Sequence, residues 1–497
     1  MMETHLPILI PLVFLSFALI IPLTALFREE GSQPAAALGA SLAAGLSIYS
    51  LFLVGSSQPI SYGLAGWRPP IGIEFFLDPL SAFILAVINS IAALVIIHSR
   101  GIYSSEFPNK QMPFYSVAML LMLGLNGMVL TGDLFTLFVF LEISSLASYA
   151  LIGIGKRQAP FAALRYLLIG TAGGSMYLLG VGYLYHVTGT LNMLDIKAIL
   201  PGIASTPPVV TGLILMTVGI GIKAAVFPMH GWLPDSYSYA SSTSSALIAP
   251  IGTKVALYIL ARILLFVFGV ENINRVIPLT TILALLAAAG IIYGSIMAIG
   301  QNDMKRMLAY SSVAQVGYIV LGFALGTALG FIGAILHILN HAIMKASLFM
   351  VAGHLQLKEG HTDISRLDRS YSGKYPYTMV VFTLGAISMI GLPPLAGFFS
   401  KWYLALGSIQ TGGYLFLAVL LISSLLNAVY FFRILEKVYI RNPDSVDDGP
   451  KPVFREVRPS MILPALILGI SLLVIGLGNV WAVDYIAGFV PEGLAGR

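Results

Sequence analysis

The stretch Gly219–Asp235, GIGIKAAVFPMHGWLPD, decides the fold. A lysine, Lys223, stands inside an apolar run, and Pro228 interrupts that run five residues later. A charge at mid-bilayer depth costs roughly 2.5–3.5 kcal/mol on insertion scales. Breaking a helix there frees backbone carbonyls and amides, which is tolerated where protein or a water-filled cavity satisfies them. Broken helices of this kind build the ion sites of transporters, and their half-helix dipoles act on the ion or its carrier. The combination returns at GLPPLAGFFSKW, Gly391–Trp402, where Pro393, Pro394 and Gly397 precede Lys401.

The surroundings of both stretches are apolar. Of 497 residues, 57% are hydrophobic and 10% charged, against roughly 25% charged in soluble domains. About fourteen runs of bilayer-spanning length recur between residues 6 and 481, and the seventh (209–228) and twelfth (376–406) are the interrupted ones. Glycine and alanine throughout the runs argue for helices and against a barrel. The expected fold is therefore an all-α polytopic membrane protein. The absence of cysteine excludes disulfides, thiolate metal sites, Cys-ligated iron–sulfur clusters and a Cys nucleophile. The first run follows Glu3 and has no short apolar core with a cleavage site, so it reads as a retained span. The net charge of +5 is spread over loops and does not point to nucleic acid.

Loop charges give an orientation. Sixteen lysines and arginines fall on one side, from Arg28, Arg100 and Lys156 to Arg441, Lys451, Arg455 and Arg458. Four fall on the other: Arg68, Lys197, Arg275 and Arg497. The positive-inside rule makes the first side cytoplasmic. Both termini are then external, which requires an even number of spans in the cell membrane.

Several titratable residues lie inside spans. Glu142 is about ten residues into the fifth span (133–154), too deep for its short side chain to snorkel. Lys254 reads as about one turn into the eighth span (246–268). Arg165 and Arg262 sit nearer span ends, and a guanidinium does not release its proton in proteins. In HILNHAIMK, His337, His341 and Lys345 follow at four-residue steps and so share a helix face. HxxxH can bind zinc, but no Glu follows the first His, no third ligand is evident, and a cation stands one turn on. A file of titratable groups on one face fits a proton path better. Ion pairs that lock helices are the structural alternative, yet one deep acid against at least four deep lysines leaves them unmatched.

The chain also repeats. Gly132–Gly153, GDLFTLFVFLEISSLASYALIG, and Asn302–Gly322, NDMKRMLAYSSVAQVGYIVLG, share an early Asp, a Ser-Ser pair and a Tyr-x-x-x-Gly ending, with a one-residue slip. The second has Ser311 where the first has Glu142. Each precedes one more span and then a Pro-broken span bearing a lysine. Spans four to eight thus correspond to nine to thirteen, and five crossings per unit invert the topology. The resulting partition is an N-terminal three-helix segment (1–110), two five-helix units (111–270 and 271–440), and a cytoplasmic loop with a C-terminal helix (441–497).

These two stretches, with FPMHGWLPDSYSYASSTSSALIAPIGTKVALYILAR, HILNHAIMKASLFMVAG and GLPPLAGFFSKW, resemble the antiporter-like subunits of respiratory complex I and its relatives. The relatives include the D subunit of Mrp sodium/proton antiporters and the equivalent subunits of membrane-bound hydrogenases and sulfur reductases. The likeness runs from about Asp78 to Arg433, and GDLFTLFVFLEISSLASY is most similar to the Mrp D and hydrogenase branch. It implies that Glu142 is the fifth-helix glutamate partnering Lys223, and that Lys254 is the connecting eighth-helix lysine. His337, His341 and Lys345 fall on the eleventh-helix motif, Lys401 on the twelfth-helix lysine, and His230 on the histidine of P-x-H-x-W-L-P. Ser236-Tyr237 and Ala240-Ser241 depart from the Ala-His and Ala-Pro of many relatives.

The function so implied is proton translocation through the Glu/Lys/His chain of a multisubunit complex, coupled to Na⁺ exchange or to a redox arm. The alternatives are a self-sufficient cation/proton transporter and a non-transporting membrane scaffold. No hydride chemistry, nucleophile, cofactor site or metal site is evident in this chain. No carboxylate cluster offers oxygen ligands to Na⁺, so a sodium path would lie in a partner. Expected partners are other membrane subunits, among them a second antiporter-like subunit and a cytoplasmic redox arm, besides the lipid bilayer.

Overall fold

The computed structural model describes residues 3–27, 29–55, 58–106, 108–155, 157–275, 277–440 and 453–494. Arg28, Lys156, Arg441, Lys451 and Arg497, and with them the loop 441–452, lie outside the described residues.

Among those described, thirteen helices are long and apolar enough to span a membrane. In chain order they are Glu3–Phe27, Ser32–Gly55, Pro79–Ser99, Gln111–Leu130, Leu134–Gly153, Ala159–Thr188, Pro207–Ala224, Ser242–Phe268, Leu279–Ile299, Met304–Ala324, Ala328–Glu359, Tyr414–Ile440 and Pro459–Leu477. Between Ala328–Glu359 and Tyr414–Ile440, the helices Pro376–Ile390 and Ala396–Gln410 make one further crossing in two halves. That crossing is the twelfth span, so fourteen result and the protein is a multi-pass membrane protein. The hairpin Ile60–Gly63 with Glu74–Leu77 is an addition to the all-helical expectation. Its strands are too short and its turn too proline-rich for a helix.

Both interruptions are where proline placed them. The seventh span ends at Ala224, capped by Ala225 in the left-handed region at φ 58°. A short helix, Leu233–Tyr239, resumes toward the other face. The first half of the twelfth ends at Gly391, φ 89°, where only glycine is free of Cβ strain. Packing across this break is tight: a Cβ on Gly397 would lie 1.9 Å from the Ser388 carbonyl oxygen. Gly397→Ala must push two backbones apart. Overpacking of this kind costs about 1–3 kcal/mol, and it should appear as a lower melting temperature of the purified protein, with an unchanged temperature counting against this geometry.

The two five-helix units carry the same backbone stitch. Asp133 N-caps the fifth span through the Thr136 amide, and Asp303 N-caps the tenth through the Arg306 amide. Each aspartate forms an isolated bridge to the loop after the next span, Asp133 to Asn192 and Asp303 to Asp363. The flanking bonds match as well: Leu134 N–H to Leu191 and Met193 N–H to Gly132 in one unit, Met304 N–H to Thr362 and Ile364 N–H to Asn302 in the other.

The eleventh span is the axis of the molecule, enclosed along nearly its whole length. It packs against the third, eighth, tenth and fourteenth spans and both halves of the twelfth. The first two spans are peripheral and keep large apolar side chains such as Leu19 and Phe52 exposed. Glu3 accepts a hydrogen bond from Tyr49, and Tyr485 donates to the Leu51 carbonyl. Both ends of the described chain therefore lie on the face where the second span ends.

Candidate functional site

Lys223 is in the last turn of its half-helix and is buried. Its Nζ donates to Ser145 Oγ at 2.6 Å and to Tyr149 OH at 3.1 Å, both on the fifth span. Glu142 is one turn earlier on the same helix. Its carboxylate reaches over Gly174, where an added Cβ would collide with Oε1, and that oxygen is buried without a hydrogen-bond partner among the described residues. Glu142 therefore acts on Lys223 through space and not through a direct bond.

A cavity of about 30 Å³ adjoins Lys223, lined also by Ser145, Tyr237 and Thr253. It holds about one water by volume and has polar walls, the two conditions a bridging water needs. Beyond it, Lys254 Nζ donates to the Ala249 carbonyl (2.8 Å) and to Thr253 Oγ1 (3.3 Å). The depth of Lys254 corrects the sequence reading. Ser241 caps a helix that begins at Ser242, so Lys254 lies twelve residues in, roughly 18 Å along the axis, and is fully buried. The serine-rich start extends the span beyond its apolar part.

The eleventh span carries His337, His341 and Lys345, all buried. His337 bonds Gln315 through Nε2 (2.8 Å) and Ser400 through Nδ1 (2.9 Å). Both its ring nitrogens are thus engaged. The His341 ring stands 6.0 Å from that of His337, and neither of its nitrogens has a hydrogen-bond partner among the described residues. Lys254 and Lys345 both act electrostatically on His341. Lys345 donates to the Leu308 carbonyl and to Ser311 Oγ, so the serine standing in for Glu142 in the second unit receives that lysine.

Lys401 follows Ser400 directly. Its Nζ donates to the carbonyls of Met389 (2.9 Å) and Ile390 (3.0 Å) and to Ser424 Oγ (3.2 Å), with the Tyr318 ring 4.9 Å away. It thereby caps the C-terminal, negative end of the first half-helix. The two broken spans are not equivalent in this respect. Lys223 precedes its break and Lys401 follows its own, while the corresponding job at the first break, capping Ile222, falls to Trp232 Nε1. His230 stacks on Phe227 and meets the Tyr293 ring edge to face. None of its described contacts is with Lys223, Lys254 or the eleventh-span histidines.

Arg165 and Arg262 are both paired, with Asp235 and Asp78. Ser145, Tyr149, Gln315, Ser400 and Thr253 are the site residues that sequence reasoning misses. Hydroxyls and amides in spans are common, and only their phase relative to the lysines could have marked them.

A fold of fourteen crossings, with two broken spans and a buried row of lysines and histidines between them, defines an antiporter-like membrane subunit. Residues 131–427 match the family described as NADH:quinone oxidoreductase/Mrp antiporter, TM. The chain belongs to this family. It is 47% identical over 490 residues, 96% of this chain and 97% of the relative, to the N subunit of the NADH-quinone oxidoreductase of Desulforudis audaxviator. It is 30% identical to the D subunit of the Na(+)/H(+) antiporter of Bacillus subtilis, covering 97% of this chain and 95% of that one. A chain of the membrane-bound sulfane sulfur reductase, an archaeal respiratory membrane complex, superposes with a TM-score of 0.89 at 29% identity, over 98% of each chain. A chain of the Mrp complex from Dietzia sp. shares the fold, with a TM-score of 0.86 over 99% of this chain and 98% of that one, at 24% identity.

Proposed function

We propose that this chain moves protons across the cell membrane as one subunit of a larger complex. The route runs from Lys223, beside Glu142, across the small cavity to Lys254, through His341 and His337, and by Ser400 to Lys401. Lys345 flanks the file as a charge that responds to its occupancy. His230 is assigned to its uptake end, on the family motif alone. One observation carries the reading. Lys223, Lys254, Lys345 and Lys401 are all buried, and among the described residues none has a carboxylate in contact; hydroxyls and backbone carbonyls are their acceptors. A scaffold would neutralise such groups with acids, whereas ammonium groups held by neutral acceptors can pass a proton on.

The sixteen-to-four loop bias supports placing the termini outside. The matching stitches support two corresponding five-helix units, which the reading bounds at residues 110, 270 and 440. The similarity to subunits of redox complexes and of Na⁺/H⁺ antiporters supports other membrane subunits as partners, with a second antiporter-like subunit and a redox arm among them. The reading assigns no cofactor and no Na⁺ ligands to this chain.

The test is purification in mild detergent with whatever accompanies the chain, reconstitution in liposomes, and dye-reported proton flux. Lys223→Ala should assemble normally and lose flux about tenfold or more, the effect of 1.4 kcal/mol or more on the limiting transfer. Undiminished flux in the assembled variant would overturn the proposal. Flux from the chain alone would make it a self-sufficient transporter.

A further inference from the structure

Away from the file, His98 in the third span and His354 in the eleventh meet with their Nε2 atoms 3.0 Å apart. The rings stack at 23°, and each residue is 1% exposed. His354 lies nine residues beyond Lys345, hence on the opposite side of the helix and roughly 13 Å along it. The pair is therefore no part of the mid-membrane row.

A directed chain leads from it. His354 Nδ1 is 3.0 Å from Thr378 Oγ1, and Thr378 Oγ1 is 2.6 Å from Glu456 Oε1. The other Glu456 oxygen accepts the Tyr377 and Thr378 amides, at the start of the first half of the twelfth span, where the helix dipole favours an anion. A carboxylate only accepts, so the single hydroxyl proton of Thr378 points to Glu456. Thr378 oxygen then accepts from His354 Nδ1–H. A neutral His354 so oriented has a bare Nε2, which accepts Nε2–H from His98. This leaves His98 Nδ1 as a bare lone pair, and that atom is buried with no hydrogen-bond partner among the described residues. Buried polar atoms are rarely left so.

We propose that His98 Nδ1 is a proton-binding site separate from the mid-membrane row, with the Thr378–Glu456 pair as its anchored counter-charge. One proton adds to Nδ1 and makes the imidazolium; no bond breaks, and the three existing hydrogen bonds keep their directions. His98 stands in the last turn of its helix, where the dipole favours a cation. The other groups facing the pair are few. Lys358, one turn beyond His354, is the cation that acts on it. Next to His98, Ser99 and Tyr115 bond each other, and Gln33 donates to the Ile96 carbonyl. The eighth span brings Ser242 to Gly353, and with it the Glu106 carboxylate, which accepts the Ser242 and Thr243 amides and the Thr243 hydroxyl. The fourteenth, Pro459–Leu477, has no titratable side chain, and Arg455 and Arg458, both exposed, flank the half-buried Glu456.

The experiment is nitrogen-15 NMR of the histidine-labelled chain in its purified complex, titrated from about pH 8 to pH 5, the window in which histidine changes charge. Difference spectra from His98→Gln and His354→Gln assign the signals. Should either fail to assemble, Thr378→Val identifies His354 by perturbing its Nδ1. We expect His354 as the Nδ1–H tautomer and His98 as the Nε2–H tautomer at the high end, with His98 becoming doubly protonated on acidification. Glu456→Gln should weaken that binding on the order of tenfold, since it removes the relayed charge. An Nε2–H tautomer at His354, or a His98 that stays neutral to the low end, overturns the proposal.

Discussion

Replacing Lys254 with methionine is expected to cut proton flux through the assembled complex about tenfold or more. Lys254 is the one ammonium on the eighth span, which lies between the first unit's lysine and the eleventh-span histidines. Its Nζ bonds the Ala249 carbonyl and Thr253, and Thr253 lines the small cavity on which Lys223 also stands. Methionine keeps the unbranched side chain to within one atom of its length and removes the charge. Because exchanging a buried charge for an apolar group of similar volume is often neutral or stabilising, assembly and melting temperature should hold. Dye-reported flux in liposomes, read beside detergent melting, checks both halves. Full flux in the variant would mean that Lys223 hands its proton on by another route, and the order of the file would have to be redrawn.

Arg262→Ala is expected to destabilise the fold by about 3–5 kcal/mol, the cost of removing one partner of a buried ion pair. Arg262 holds both oxygens of Asp78, at 2.6 and 2.8 Å, and bonds the Tyr258 hydroxyl. That hydroxyl in turn donates to the Val129 carbonyl at the end of the fourth span, while Asp78 caps the third through Ser81. Three spans thus meet on one guanidinium. Removing it leaves the Asp78 carboxylate buried with only its cap bonds. Thermal unfolding of the purified protein measures the loss. The double variant with Asp78→Ala should recover part of it, since neither charge is then left alone.

Much of this is legible in the residues alone. The spans, both breaks and the lysines beside them stand out because each is costly in a bilayer, so an apolar sequence cannot carry them unnoticed. What stays hidden is cheap or distant. Thr253 and Ser400 carry no pattern, since a hydroxyl in a helix can bond its own backbone. The depth of Lys254 is underestimated because Ser242–Ser245 reads as a loop. The Asp78–Arg262 and His98–His354 contacts join residues far apart in the chain, and each partner alone reads as an ordinary polar residue near a span end. Glu142 is expected as the partner of Lys223, but it stands one turn before Ser145 on the fifth span, and the hydroxyls of Ser145 and Tyr149 take the ammonium.

The matching stitches at Asp133–Asn192 and Asp303–Asp363 bear on how such a chain can be assembled from copies. Five crossings separate them, so the same knot of backbone bonds closes opposite faces of the membrane. A segment that ties off its own mouth with backbone amides depends little on which aqueous phase it meets. It can be duplicated in tandem, with an odd number of crossings, and each copy still seals its end without new side chains. The side chains are then free to diverge, as Asn192 and Asp363, or Glu142 and Ser311, have done.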